Sequence, residues 1–228
     1  MIKKLSKKAS LLSALVLTMA LFAGCSNEKE NQKVADIEVK TIATKELQDK
    51  LSDDSWVVVD TRINDAFNGW KLDEVERGGH IKGAVDFSAN WLTVDSKDKE
   101  KTLDKALETK GIEKDKNIVL YDANGKDAKE VANYLSEKGY KNLYTYNVAD
   151  WAKDESLPME SYENYEMIVP AIIVNDILDG NKPETFENSK NIKIVEASWG
   201  EESEAYSKGH VPTSVHINTD TVEPPPQW

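Results

Sequence analysis

Asn117-Ile118-Val119-Leu120-Tyr121-Asp122-Ala123-Asn124-Gly125-Lys126-Asp127-Ala128-Lys129-Glu130-Val131-Ala132 is the stretch on which the fold turns. Residues 117–121 form a short run rich in apolar side chains, which reads as a central strand buried on both faces. The six residues Asp122, Ala123, Asn124, Gly125, Lys126 and Asp127 are mostly polar and include a glycine, so a loop is expected there. Ala128, Val131, Ala132 and Leu135 then recur at helical spacing. Asp127 is expected to cap that helix at its start and Gly139 to stop it. In a parallel sheet, ligands bind beyond the carboxyl ends of the strands, so loop 122–127 is the place to look for a site.

The same alternation extends to either side. Residues 44–51 carry Leu47 and Leu51 at helical spacing. Trp56-Val57-Val58-Val59-Asp60 reads as a buried strand, and Ala84-Val85-Asp86-Phe87 as another, approached through Gly78-Gly79-His80-Ile81-Lys82-Gly83. Residues 99–109 place Leu103, Ala106 and Leu107 on one helical face, and Gly111 closes that helix. Leu143-Tyr144-Thr145-Tyr146 is a further strand. Strand and helix alternating in this way predict a three-layer α/β domain with a parallel sheet, here residues 41–160.

Composition narrows the function. The 228 residues carry a net charge of −12, which repels nucleic-acid phosphates and excludes them as a partner class. With one cysteine, Cys25, no disulfide forms within the chain. His80, His210 and His216 are the only histidines, so no His/Cys cluster suggests a metal, and no motif implies a cofactor. Trp56, Trp70, Trp91 and Trp151 are spread along the chain and read as core or loop cover, not as a base-stacking platform.

The chain opens on Met1-Ile2-Lys3-Lys4-Leu5-Ser6-Lys7-Lys8, followed by an almost wholly apolar run from Leu11 to Phe22. That run is shorter than the roughly 18–20 residues a spanning helix needs. A basic stretch, a short apolar run and small residues read as a secretory signal over residues 1–24. Leu21-Phe22-Ala23-Gly24-Cys25 resembles the bacterial lipobox, with Phe22 where leucine is usual. The resemblance implies acylation of Cys25, a tether over residues 25–40, and anchoring to the extracytoplasmic face of the cell membrane.

A second copy of the early pattern begins further on. Val57-Val58-Val59-Asp60 leads to Gly79-His80-Ile81-Lys82-Gly83-Ala84-Val85, and Ile192-Lys193-Ile194-Val195-Glu196 leads to Gly209-His210-Val211-Pro212-Thr213-Ser214-Val215. A helix is expected before each, over residues 44–51 and 170–178. Residues 161–228 therefore read as a linker and the partial start of a second domain of the same type. Half a domain leaves apolar surface uncovered.

Asp60-x-Arg62, Gly79-His80-Ile81-x-Gly83-Ala84, Val119-x-Tyr121 leading into a loop with Gly125, and Trp151 with Leu157-Pro158 together resemble the rhodanese family of sulfurtransferases. Residues 194–228 resemble the opening of the second domain in its tandem members. The resemblance implies a cysteine at the start of loop 122–127, made a thiolate by loop N–H groups and the following helix N-terminus. That thiolate takes sulfur from an anion such as thiosulfate and passes it to a thiophilic acceptor. In this chain the position is Asp122, which cannot form a persulfide but can accept hydrogen bonds from the same amides. The complete domain is therefore expected to be silent in sulfur transfer, within a tandem sulfurtransferase or as a non-enzymatic binding or regulatory module of the envelope. Asp60 and Arg62 are expected to form a buried structural ion pair. His80 and His210 should hold glycine-rich turns by hydrogen bonds, and Lys126 should be solvated.

Overall fold

The computed structural model describes residues 38–199 and 204–223. Cys25, the expected signal over residues 1–24 and most of the expected tether lie outside the described residues. In chain order the elements are β1 (Lys40–Thr41), α1 (Thr44–Lys50), β2 (Trp56–Asp60), α2 (Asn64–Asn68), β3 (His80–Ile81) and β4 (Val85–Asp86). Then come α3 (Lys99–Thr109), β5 (Asn117–Asp122), α4 (Asp127–Glu137), β6 (Leu143–Asn147), α5 (Val148–Ala152) and β7 (Met159–Glu160). The later part holds α6 (Ala171–Leu178), β8 (Val195–Ser198), α7 (Glu204–Lys208) and β9 (Val215–Asn218).

Five strands form one sheet in the order β1-β6-β5-β2-β4, and every pairing is parallel. Side chains alternate across a strand, and the two cores follow that period. Ile118 and Leu120 of β5 point to one face, where they meet Leu103 and Leu107 of α3 and Val131 and Leu135 of α4. Val119 and Tyr121 point to the other, where they meet Leu47 of α1 and Trp151 and Ala152 of α5. Helices on both faces explain why β5 is apolar on both sides. The expected three-layer parallel α/β domain is the observed one.

Local boundaries differ from expectation in five places. Asp122 is the last residue of β5 and not the first of a loop. Asp127 is the first residue of α4, and Lys126 stands at the cap position without a side-chain cap bond. The strand expected over residues 84–87 is only Val85–Asp86. The glycine-rich approach to it contains its own short strand, β3, which pairs antiparallel with β7 in a separate two-stranded sheet. The late strand expected over 192–196 lies at Val195–Ser198.

The segment after β7 folds back on the domain. Tyr162 N–H donates to the Asn68 carbonyl at 2.8 Å, and the Trp70 indole N–H donates to the Ile168 carbonyl at 3.1 Å. Ile173 of α6, Tyr165 and Phe186 pack with Trp70, Leu72 and Ala66 in a third apolar cluster. Beyond it, β8 and β9 pair in parallel, Val195 opposite Val215 and Glu196 opposite His216. This is the arrangement of β2 and β4, where Val59 lies opposite Val85 and Asp60 opposite Asp86. Met167, Ile168, Trp199 and Val222 in this later part are 80%, 79%, 76% and 64% exposed.

Two glycines of the β3 approach test how tightly it is held. Gly79 has φ +87°, and a Cβ there would fall on the Glu160 carbonyl oxygen. Gly83 has a similar φ of +82° but open space around it. Gly83→Ala should therefore cost only the backbone strain, about 1–2 kcal/mol. Gly79→Ala should cost visibly more, because the β3–β7 pair must also move. Urea unfolding of both variants checks this, and equal midpoints would contradict the packing described.

Candidate functional site: the loop at the end of β5

β5 carries Asp122 to the carboxyl edge of the sheet, where it is 1% exposed. Its carboxylate Oδ1 accepts the Gly125 N–H at 2.7 Å, and Oδ2 accepts the Ala128 N–H at 3.0 Å. The first amides of a helix have no partner within the helix. Asp122 thus reaches across the loop and satisfies one of them, which is the work expected of Asp127. A negative group at that end is also favoured by the helix dipole. Gly125 adopts φ +78°, the left-handed conformation that turns its amide onto the carboxylate. Asn124 Oδ1 accepts the Lys126 N–H at 2.9 Å. Ala123 is half-buried and packs against the α1/α5 core, while Asn124, Gly125 and Lys126 are exposed.

Asp127 sits half-buried behind the loop. Burial, then the charge of Asp122, raises its pKa above the usual aspartate value. A cavity of about 450 Å³ opens beside Asp122 and is lined also by Asn124, Lys129, Asn133, Tyr146 and Asn147. Among the described residues, no group of three His, Cys, Asp or Glu side chains is placed to hold a metal ion.

The second set of expected residues lies one strand away. Asp60 and Arg62 are 0% and 1% exposed. The Arg62 backbone N–H and Nε both donate to Asp60 Oδ1 at 3.0 Å, and Nη2 donates to Oδ2 at 2.6 Å. Nη2 also donates to the Gly79 carbonyl at 2.7 Å. Burial opposes the guanidinium charge, but the hydrogen bond and charge of Asp60 outweigh it and raise the Arg62 pKa. His80 donates from Nδ1 to the Phe67 carbonyl at 2.7 Å and stacks on the Phe67 ring at 3.8 Å. Its Nε2 lies 3.6 Å from Glu160 Oε1, which also accepts the Gly83 N–H at 2.9 Å.

His210 repeats that geometry in the later part. It donates from Nδ1 to the Tyr206 carbonyl at 2.9 Å and stacks on Tyr206 at 4.0 Å, but it is exposed. The structure therefore gathers Asp60, Arg62, His80 and Gly83 into one turn-holding cluster, and the loop residues into a separate amide cradle. Sequence reading missed two participants. One is Glu160. The other is Arg77, whose guanidinium donates to the carbonyls of Trp151, Ala152, Asp154 and Leu157 and closes the chain after α5. A lone arginine among acidic residues gives no spacing signal.

Fold and loop together define a parallel α/β domain with an anion cradle between a strand end and a helix N-terminus. Residues 43–152 match the rhodanese-like domain family. Among solved structures, the chain is similar to the anaerobic ergothioneine biosynthesis enzyme of Chlorobium limicola in complex with its natural substrate trimethyl histidine. The identity is 30% and the TM-score 0.70, over 82% of this chain and 43% of that one. It is similar also to EanB with ergothioneine covalently linked with a persulfide, at 30% identity and TM-score 0.71 over 82% and 43%. Wild-type EanB matches at 30% and 0.70, over 83% and 42%. The chain thus spans less than half the length of these structures. No curated protein matches it.

Two substitutions probe the cradle. Asp122→Ala removes the acceptor of two loop amides, and should cost about 1–3 kcal/mol and speed hydrogen exchange at Gly125 and Ala128. Asp127→Asn tests the raised pKa. A carboxyl whose folded pKa lies above its unfolded value contributes stability below the unfolded pKa and loses it as pH rises through the folded one. The variant should therefore compare best with the parent at neutral pH. That relative gain should shrink as pH falls from the raised pKa into the usual aspartate range and be gone below it, read from urea midpoints across pH.

Proposed function

We propose that this chain is a membrane-anchored, extracytoplasmic rhodanese-like lipoprotein whose complete domain is silent in sulfur transfer, and that it is part of a tandem thiosulfate or persulfide sulfurtransferase. The observation that carries the silent domain is Asp122. It stands where the family resemblance requires the sulfur-carrying cysteine, and its carboxylate already occupies the amides that would hold an anionic sulfur. It has no sulfur to extend, and it repels an anionic donor. The tandem reading rests on the β8–β9 register, the repeated His–aromatic turn and the exposed apolar side chains of the later part. Anchoring rests on Leu21-Phe22-Ala23-Gly24-Cys25. Among the described residues no helix is long and apolar enough to cross a membrane.

A binding role for the silent domain is the second reading, favoured by the 450 Å³ cavity beside Asp122. A ligand there would meet the amides of Asn124, Asn133 and Asn147 and the Lys129 ammonium, groups suited to orienting a small polar molecule.

The full chain with thiosulfate and cyanide should form thiocyanate no faster than a protein-free control. Asp122→Cys should gain the first half-reaction. The new thiolate attacks the sulfane sulfur, the sulfur–sulfur bond of thiosulfate breaks, and sulfite leaves with the electron pair. Mass spectrometry then finds one added sulfur atom on residue 122. Catalytic turnover by the unmodified chain would sink the silent-domain reading. For the anchor, Cys25→Ser should abolish incorporation of a labelled fatty acid and release the protein from the membrane fraction.

A further inference from the structure

The groove between α3 and the 3₁₀ turn Ala89–Thr93 takes no part in the loop site. It encloses about 390 Å³ and lies beyond α3, on the side of the domain with the α3/α4 core. Trp91, Val94, Leu103 and Ala106 form its apolar wall, and Lys99 and Thr102 stand at its rim. Val94 is 52% exposed in a domain that otherwise buries its aliphatic side chains well.

The wall is rigid. Trp91 donates its indole N–H to Asn64 Oδ1 at 3.0 Å, and Asn64 Nδ2 donates to Asp86 Oδ2 at 2.8 Å. The Lys110 ammonium lies 5.5 Å from the Trp91 ring and pairs with Asp86 at 2.5 Å. Phe87 meets the indole edge-on at 5.4 Å. A side chain held by this many partners offers a preformed surface, and binding to it costs little ordering.

The rim supplies a charge. Lys99 is half-buried and, among the described residues, is the one charged side chain lining the groove. Its ammonium donates to the Leu92 carbonyl at 2.5 Å, and among the described residues no carboxylate lies within 4.0 Å of it. An ammonium has three donors, and a neutral carbonyl uses one without balancing the charge. A half-buried cation beside an apolar wall selects a ligand with an apolar body and an anionic end.

We propose that this groove binds a free alkyl carboxylate, with its chain along Trp91, Val94, Leu103 and Ala106 and its carboxylate on the Lys99 ammonium. Octanoate is the probe, added to the full ¹⁵N-labelled chain in lipid nanodiscs, with empty nanodiscs correcting for partition. The readout is the indole N–H resonance of Trp91, assigned with Trp91→Phe. Octanoate should shift it saturably, octanol should bind about ten-fold more weakly, and acetate should leave it unmoved. Lys99→Met should bring octanoate down to the level of octanol. Ala106→Phe, which fills the groove, should abolish the shift while the other indole signals stay in place. The proposal fails if octanoate gives no saturable shift, if octanol equals octanoate, or if Ala106→Phe keeps the affinity. It fails also if the resonance moves with protein concentration alone, which would make the groove a contact between copies of the chain.

Discussion

The ion pair of Asp60 and Arg62 is the constraint around which the domain is organised. Both charges are fully buried, and removing each from water costs several kcal/mol. The cost is offset by placing them two residues apart, where one carboxylate takes the backbone N–H and two guanidinium donors. The fourth bond, to the Gly79 carbonyl, gives the pair its wider role. It ties the end of β2 to the turn before β3, and β3 brings Glu160 and β7 into place. Around it, the Thr61 N–H donates to the Tyr121 carbonyl at 3.0 Å and the Phe87 N–H to the Asp60 carbonyl at 2.9 Å. Three strand ends thus meet at one charged knot, and Asp122 is presented one residue beyond it.

What the knot presents is a cradle already filled. Backbone amides at a strand end and a helix start attract an anion by geometry alone. A thiolate there would be a nucleophile held at low pKa. A carboxylate satisfies the same amides, completes the helix start and leaves the fold intact, but it has no lone-pair sulfur to donate. Structural role and chemical role separate at this one position: a carboxylate can keep the parallel α/β fold intact without supplying the chemistry of a thiolate.

The central strands were legible because β5 and β2, of six and five residues, are apolar on both faces, a pattern that only a two-sided burial explains. Gly111 and Gly139 likewise marked helix ends correctly, both with positive φ. β1, β3, β7, α2 and α5, each two to five residues long with no apolar run to mark them, show no period and were missed. Asp127 was misjudged as the cap because local spacing cannot show that Asp122, five residues back, accepts the Ala128 amide of the same helix start. Ile192 and Ile194 drew the late strand too early, since apolar character alone does not say where pairing begins. Chain order pointed to a connection after β5, but it is residues 123–126 and not 122–127, since Asp122 ends the strand and Asp127 opens the helix. Glu160 and Arg77 act through contacts spanning more than seventy residues and carry no local mark.

The two outer strands of the main sheet, β1 and β4, are each two residues long. An edge that short, with Lys40 on one side, offers almost no template for a strand from another molecule. The sheet is therefore blunted against edge-to-edge growth. The β8–β9 pair has four residues in each strand and Val195 and Val215 half-exposed. Self-association of this chain, wherever it occurs, should begin there and spare the rhodanese-like domain.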